Sequence, residues 1–398
     1  MDITITPSRL CGTVRAIPSK SQAHRLLICA AFSDKPTFLE CPQTNADIEA
    51  TVRCLNALGS VIRRTDEGYT VVPISQIPDT AVMNCGESGS TLRFMLPIVC
   101  ALGVKTTIQM QGRLPYRPLS PLWEELERMG CTLSRPTEDT IQTEGKMHAG
   151  DFVISGSVSS QFITGLLFAS ALLEGTSHIT VTGTLESKPY VEMTQLALKT
   201  FGVNTDSFQV FGSFPFRSPG NIAVEGDWSN GAFFLGAKAL GNPVDVTNLE
   251  PNSPQGDRAV ADILQINEQM QQISAADIPD LVPILAVVMG AKNGAVFTDI
   301  ARLRLKESDR VASVCQMLNN LGADATATEN TLTVKPGIYH SCTIDSVNDH
   351  RIAMAAAIAA TVATGPVTVL GAECVTKSYP DFWQVYQNLG GNYEQHLR

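Results

Sequence analysis

The chain has 398 residues, 44% of them hydrophobic and 17% charged, with a net charge of -10. That length passes the roughly 250 to 300 residues at which a single core stops growing, so two domains are the default. The acidic balance argues against non-specific nucleic-acid binding, which needs a basic surface to displace counterions, and makes the placement of the few cations the informative feature.

The opening Met1-Asp2-Ile3-Thr4-Ile5-Thr6 has no basic stretch ahead of an apolar core and no arginine-rich, acid-poor character. It reads as a first β-strand, and a cytoplasmic location is expected. The weakly polar run from Ile352 to Val367 is broken by threonines and a Gly-Pro pair. It falls short of the roughly 20 apolar residues that a spanning helix needs, so no membrane segment is expected. Ten cysteines without a Cys-x-x-Cys pair read as free thiols, mostly small buried hydrophobes. Six histidines without a His/Cys cluster at ligand spacing give no reason to expect a metal, and no cofactor is expected.

One pattern recurs at spacings of roughly 50 to 70 residues, longer than the common solenoid periods. Each of its six copies runs strand, small-residue turn, Ala/Leu/Gly-rich helix, β-branched strand, loop and second helix. The first helices are expected to open near Ser19-Lys20-Ser21, Glu87-Ser88-Gly89, Ser159-Ser160-Gln161, Asp227-Trp228-Ser229, Ile278-Pro279-Asp280 and Asp349-His350-Arg351. The strands that follow include Thr37 to Leu39, Thr106 to Met110, His178 to Val181, Val244 to Val246, Val296 to Thr298 and Val367 to Leu370. Five second helices are expected to stop at Gly59, Gly130, Gly202, Gly322 and Gly390, where glycine can take a left-handed cap. The fourth copy, around Asp257 to Met270, lacks that glycine. Hairpins are expected around Glu67-Gly68 and Asn330.

Each copy places its unusual polar group at the strand-to-helix junction, where free N–H groups and the helix dipole favour anions. Pro18 to Arg25 puts Lys20, two serines and Arg25 at one such start, with Ser21 and Arg25 on one face. Cys85 to Arg93 resembles a glycine-containing phosphate turn but matches neither the Walker A nor the Gly-x-Gly-x-x-Gly spacing. The backbone at Gly89 can approach a ligand closely. Gly112 to Pro118 presents Arg113 and Arg117 on a proline-stiffened loop, a carboxylate or phosphate clamp in form. Ser159, Ser160 and Gln161 offer more polar groups than one cap needs, and Ser187-Lys188-Pro189-Tyr190 follows in the same copy. Asp280 opens an apolar helix, where capping would by itself explain it. Lys306 to Arg310 packs four charges into five residues, which as a bland reading is a solvated face. Arg351, at the start of an alanine-rich helix, opposes the dipole and asks for a local anion. Lys377-Ser378-Tyr379-Pro380 closes the last copy.

Taken in order over the whole chain, these segments resemble the 5-enolpyruvylshikimate-3-phosphate synthases of the enolpyruvyl transferase family. The resemblance implies an α/β fold of two domains, each of three βαβαββ repeats arranged as an inside-out α/β barrel. The N-terminal domain would run over 19–225 and the C-terminal domain over 1–18 plus 226–398, with the active site in the cleft between them. It also implies transfer of the enolpyruvyl group of phosphoenolpyruvate to the 5-hydroxyl of shikimate 3-phosphate, with release of phosphate, by addition and elimination on the route to chorismate and the aromatic amino acids. A monomer is expected.

Carried over residue by residue, Ser21, Arg25, Ser159, Ser160, Ser187 and Tyr190 resemble the shikimate 3-phosphate pocket. Lys20, Gly89, Arg117, Arg310, Arg351 and Lys377 resemble the phosphoenolpyruvate site, and Gln161 and Lys306 would lie between the two. Asp280 would take the proton from the attacking hydroxyl and also touch shikimate 3-phosphate. Glu307, with Lys20 nearby, would deliver and later remove the proton at the methylene carbon. Two like unit charges about 5 Å apart repel by roughly 3 kcal/mol at an effective dielectric of 20, which is why two anionic substrates call for so many cations.

The sequence departs from the family pattern at two places. The junction often written Gly-Asn-Ala-Gly-Thr reads Gly86-Glu87-Ser88-Gly89-Ser90, and Arg302 stands where some members use asparagine. The rival UDP-N-acetylglucosamine enolpyruvyl transferases have a lysine-asparagine pair where this chain has Lys20-Ser21, and a cysteine in the loop that here spans Gly112 to Pro118. A non-catalytic anion-binding relative would have no need of Asp280 and Glu307.

Overall fold

Short β-branched strands bounded by turns cannot bury both faces alone, so each copy of the repeat builds a small sheet against its own helices. The computed structural model describes residues 1–212, 214–266 and 270–396. It divides into two compact units, Pro18–Val224 and Met1–Ile17 with Glu225–Arg398.

Among the described residues, Pro18–Val224 holds three sheets. In one, Thr80–Asn84 pairs parallel with Lys105–Gln109, which pairs antiparallel with Thr140–Gly145, itself antiparallel to Cys131–Thr137. Gly89–Leu102 is the crossover helix between the parallel strands, as a parallel connection requires. A second sheet repeats the order with Asp151–Ser155, Thr176–Thr182 and Gln209–Phe211, around the helix Ser160–Leu172. In the third, Asn221–Ala223 from the end of the unit supplies the strand parallel to Thr37–Glu40, followed by the expected hairpin of Gly68–Val72 and Val61–Arg64.

The other unit completes two of its sheets with distant pieces of chain. Gln271–Ser274, Ala295–Thr298, Thr331–Lys335 and Asp324–Ala327 form one sheet in the same order. In another, Cys342–Asp345 runs parallel to Val367–Leu370, and the N-terminal strand Asp2–Thr6 lies antiparallel between Val367–Leu370 and Asn392–His396. Gly12–Arg15 pairs parallel with Val244–Thr247. The strand ahead of the first helix therefore serves a different unit from the helix itself, and Asn221–Ala223 takes its place beside Thr37–Glu40.

The first helices of the repeats are almost wholly buried, which their Ala/Leu/Gly composition permits. Gly165 shows how close they come. A Cβ there would lie 2.2 Å from the carbonyl oxygen of Arg93, so only glycine lets the helices Gly89–Leu102 and Ser160–Leu172 pack at this distance. Gly59, Gly130, Gly202, Gly322 and Gly390 all take positive φ after the second helices, where the sequence places caps. The fourth copy has only a short turn at Gly256–Ala259 and a helix over Val260–Ile263, and residues 267–269 of the expected segment lie outside the described residues. Among the described residues no helix is long and apolar enough to cross a membrane.

Candidate active site

In Pro18–Val224 the first turn of Lys20–Ala31 is fixed by Ser19, whose hydroxyl accepts from the Gln22 N–H. Lys20 Nζ lies 3.0 Å from Asp47 Oδ2. Arg25, 3% exposed, donates to the carbonyls of Ser21 (2.6 Å) and Tyr190 (2.8 Å) and to Thr194 Oγ1 (2.8 Å), and lies over the Phe94 ring. These partners are neutral, and burial lowers the guanidinium to about 10. An arriving anion would stabilise such a cation. Ser187 is buried in the left-handed region at φ 55, at the start of Lys188–Thr200, and its carbonyl accepts from the Tyr190 N–H. A non-glycine residue held there is strained, as functional positions often are. Ser21, Arg25, Ser187 and Tyr190 thus form one run of contacts.

A second run centres on Gly89. A Cβ at that position would lie 2.6 Å from Arg117 Nη1 and 2.7 Å from Arg93 Nη1, so two guanidiniums pack on the bare backbone of a helix N-terminus. Arg93 donates to Gln161 Oε1 at 3.2 Å and to the Pro118 carbonyl at 3.0 Å. Gln161 donates in turn to Ser90 Oγ at 2.9 Å. Ser159 caps its helix by accepting from the Gln161 N–H, and Ser160 is buried in the same turn. The carboxylate of Glu87 lies against Gly112, at the head of the arginine loop.

The unit containing Glu225–Arg398 has its own charge cluster. Arg310, fully buried, donates to Asp280 Oδ1 (2.7 Å), Glu307 Oε2 (2.6 Å) and Asp349 Oδ2 (3.2 Å). Asp280 Oδ2 also accepts from Arg351 Nη2 at 2.8 Å. Asp349 caps the helix His350–Ala360 by accepting from the Arg351 N–H and also accepts from Ser308 Oγ. Lys377 Nζ reaches the Asn348 carbonyl at 2.9 Å, beside the same helix start.

Two bland readings of the sequence give way here. Asp280 is not a helix cap, because Val282–Gly290 begins after Leu281, and its carboxylate is used by two arginines. Lys306 to Arg310 is not a solvated face, because Arg310 is enclosed by three carboxylates. The anion that Arg351 asks for is Asp280.

Burial alone would push the Asp280 carboxyl up, but Arg351, Lys306 and Arg310 outweigh it and hold it well below the usual carboxylate range. Burial lowers Lys306 to about 8, with Asp280 opposing and Arg302 and Arg310 assisting. Asp257, bonded by Ser229 Oγ, is raised to about 7 by burial and then by Asp280. Among the described residues no group of three or more His, Cys, Asp or Glu could hold a metal ion.

Residues 5–386 match the family described as EPSP synthase (3-phosphoshikimate 1-carboxyvinyltransferase). The chain belongs to the EPSP synthase family. It is 35% identical to the 3-phosphoshikimate 1-carboxyvinyltransferase of Clostridium beijerinckii over 99% of this chain and 98% of that protein. It is 37% identical to the protein of the same name from Clostridium novyi, over 98% of each. An EPSP synthase structure from Acinetobacter baumannii superposes with a TM-score of 0.80 at 23% identity, covering 99% of this chain and all of that one. The enolpyruvyl transferase NikO of Streptomyces tendae superposes at 0.76 with 15% identity, covering 99% of this chain and 98% of its own. These likenesses bear out the expected two-domain enolpyruvyl transferase fold.

Sequence reasoning missed Asp47, Arg93 and Asp349 as members of these clusters. Arg93 was visible one helical turn after Gly89, and Asp349 directly precedes His350 and Arg351. Asp47 carries no comparable signal, because its contact with Lys20 is 27 positions distant.

Proposed function

We propose that the protein transfers the enolpyruvyl group of phosphoenolpyruvate to the 5-hydroxyl of shikimate 3-phosphate, releasing phosphate, as a cytoplasmic enzyme of aromatic amino acid biosynthesis. The observation that carries this reading is the Asp280–Arg310–Glu307 array. Two carboxylates of opposite assigned role are bonded to one buried guanidinium, within a chain whose family is defined by this reaction.

Ser21, Arg25, Ser159, Ser160, Ser187 and Tyr190 are assigned to shikimate 3-phosphate, together with Lys20, Gln161, Asp280 and Lys306. Lys20, Gly89, Arg117, Gln161, Arg310, Arg351 and Lys377 are assigned to phosphoenolpyruvate. Asp280 accepts the hydroxyl proton, and Glu307, assisted by Lys20, protonates the methylene carbon and later deprotonates the methyl group of the tetrahedral adduct.

The ion pairs suggest how a carboxylate as acidic as Asp280 becomes a useful base. A substrate carboxylate binding Arg310 and Arg351 competes for the guanidiniums that hold Asp280 down. Each contact withdrawn raises the carboxyl toward the range in which it takes a proton. Donor binding would thereby activate the base that serves the acceptor.

The test is phosphate release from phosphoenolpyruvate by purified protein, with shikimate 3-phosphate in one reaction and UDP-N-acetylglucosamine in another. Release only with the first supports the proposal, release only with the second moves the protein to the other branch, and release with neither leaves an anion-binding relative.

A further inference from the structure

Helices Lys20–Ala31 and Ala46–Ala57 meet along two rungs, each four residues from the next on both partners. Lys20 pairs with Asp47, and His24 Nδ1 lies 2.7 Å from Thr51 Oγ1. Thr51 Oγ1 is also 2.7 Å from Thr91 Oγ1 on the helix Gly89–Leu102. Thr91 donates its hydroxyl to Ser88 Oγ, the cap of that helix, at 2.8 Å, and lies 3.4 Å from the Asp47 carbonyl. His24, Thr51, Thr91 and Ser88 are all buried.

The donors can be ordered along this chain. Thr91 has one hydroxyl proton and gives it to Ser88, so toward Thr51 it accepts. Thr51 has then used its own proton, so it accepts from His24, which must carry hydrogen on Nδ1. The far ring nitrogen, Nε2, is buried without a hydrogen-bond partner, as a bare nitrogen in this tautomer would be. Burial, then the charges of Lys20 and Arg25, hold the imidazole well below its usual range, consistent with a neutral ring. The second helix of the first repeat therefore brackets two helix N-termini at once, that of Lys20 and that of Gly89.

We propose that Thr51 is a positioning residue for the phosphoenolpyruvate side of the reaction, its hydroxyl setting the Lys20 helix and the Gly89 helix in the register that lets both serve one anion. The inference rests on the functional reading above, which assigns Lys20 and Gly89 to that substrate. Thr51 touches no substrate and acts through His24 and Thr91.

Wild-type turnover with shikimate 3-phosphate is measured first, and its absence would refute the functional reading itself. With turnover established, Thr51→Val removes the hydroxyl at nearly constant shape. The KM for phosphoenolpyruvate is expected to rise roughly ten- to a hundredfold, and that for shikimate 3-phosphate by a clearly smaller factor, because Lys20 is assigned to both substrates and Gly89 to phosphoenolpyruvate alone. Thr51→Ser, which keeps the hydroxyl, should return the first value to within about threefold of wild type. Val71→Ala, a core truncation in the same unit, serves as the control for destabilisation, with urea midpoints measured for all variants. Should Thr51→Val not fold, Thr91→Val breaks the next link and carries the same expectation. An unchanged KM for phosphoenolpyruvate in the folded variant, or an equal rise in Val71→Ala, overturns this inference and leaves the functional reading standing.

Discussion

Asp280 and Arg351 are 71 positions apart in sequence, yet the carboxylate Oδ2 accepts a hydrogen bond from the guanidinium at 2.8 Å. The same carboxylate bonds Arg310 through its other oxygen, so the start of one apolar helix is tied to the starts of two others. An arginine that opposes its own helix dipole is compensated by an aspartate from elsewhere in the fold. The aspartate in turn is kept ionised by those cations.

Asp280→Asn and Glu307→Gln should each lower turnover by about a hundredfold or more while leaving the protein folded, because general acid–base catalysis contributes on that order. Steady-state assays with both substrates saturating, alongside circular dichroism, measure it. Near-normal turnover in both folded variants would remove these residues from the acid–base roles.

Activity should decline as the pH rises through about 8, where half-buried Lys306 loses its proton. The unfolded lysine titrates near 10.4, so between those values the unfolded chain binds more protons and this group makes stability rise with pH. Buried thiols such as Cys41 and Cys374 act the other way, so thermal melts over the same interval separate lost charge at the site from unfolding. The KM for shikimate 3-phosphate should climb above about pH 8, and Lys306→Arg should flatten that limb because a guanidinium stays charged. A wild-type profile flat to pH 10 would count against it.

Acid should weaken the same cluster. Asp280 is more acidic folded than unfolded, so its stabilisation is complete above the unfolded value near 3.9 and is lost as pH falls toward the folded one. Thermal melts of wild type and Asp280→Asn should therefore converge on acidification below about pH 4. A gap that stays constant down to pH 2 would contradict this.

Arg310→Met should destabilise the protein by about 3 to 5 kcal/mol, because it leaves Asp280, Glu307 and Asp349 sharing one region without their common cation. Arg310→Lys should recover only part of this, since an ammonium cannot reproduce a planar fork bonded on three sides. Urea unfolding at neutral pH provides the comparison, and a loss below about 1 kcal/mol for the methionine variant would show that the array is not structurally coupled.

Gly89→Ala should leave stability nearly intact but raise the KM for phosphoenolpyruvate. The added Cβ meets the ends of Arg117 and Arg93, which can move aside, and moving them displaces Arg117, the guanidinium assigned to that substrate. Equal kinetic constants for the alanine variant and wild type would show that this close packing is not used by substrate.

Much of this protein was legible without coordinates because its signals are local. Strand alternation, polar helix starts and terminal glycines depend on neighbours within a few residues, so the six-fold pattern could be read from Thr37 to Leu370. Capping could be anticipated at Ser19, Ser159, Asp227 and Asp349 for the same reason. At Asp280 local reasoning left a cap open as one reading, and there tertiary partners prevailed.

What the amino-acid order determined by itself was the kind of element at each position and the cluster of cations and hydroxyls at each helix start. Dipoles, caps and side-chain periodicity act over one or two turns. Tertiary structure alone decided which group answers which cation, as in Lys20 with Asp47, Arg93 with the Gln161 amide oxygen, and Arg310 with three carboxylates. It also decided that the first strand pairs with strands near the opposite end of the chain. Hydrogen bonds and ion pairs depend on separation in space, and only the packing of the sheets and buried helices brings such distant residues within 3 Å or so of one another.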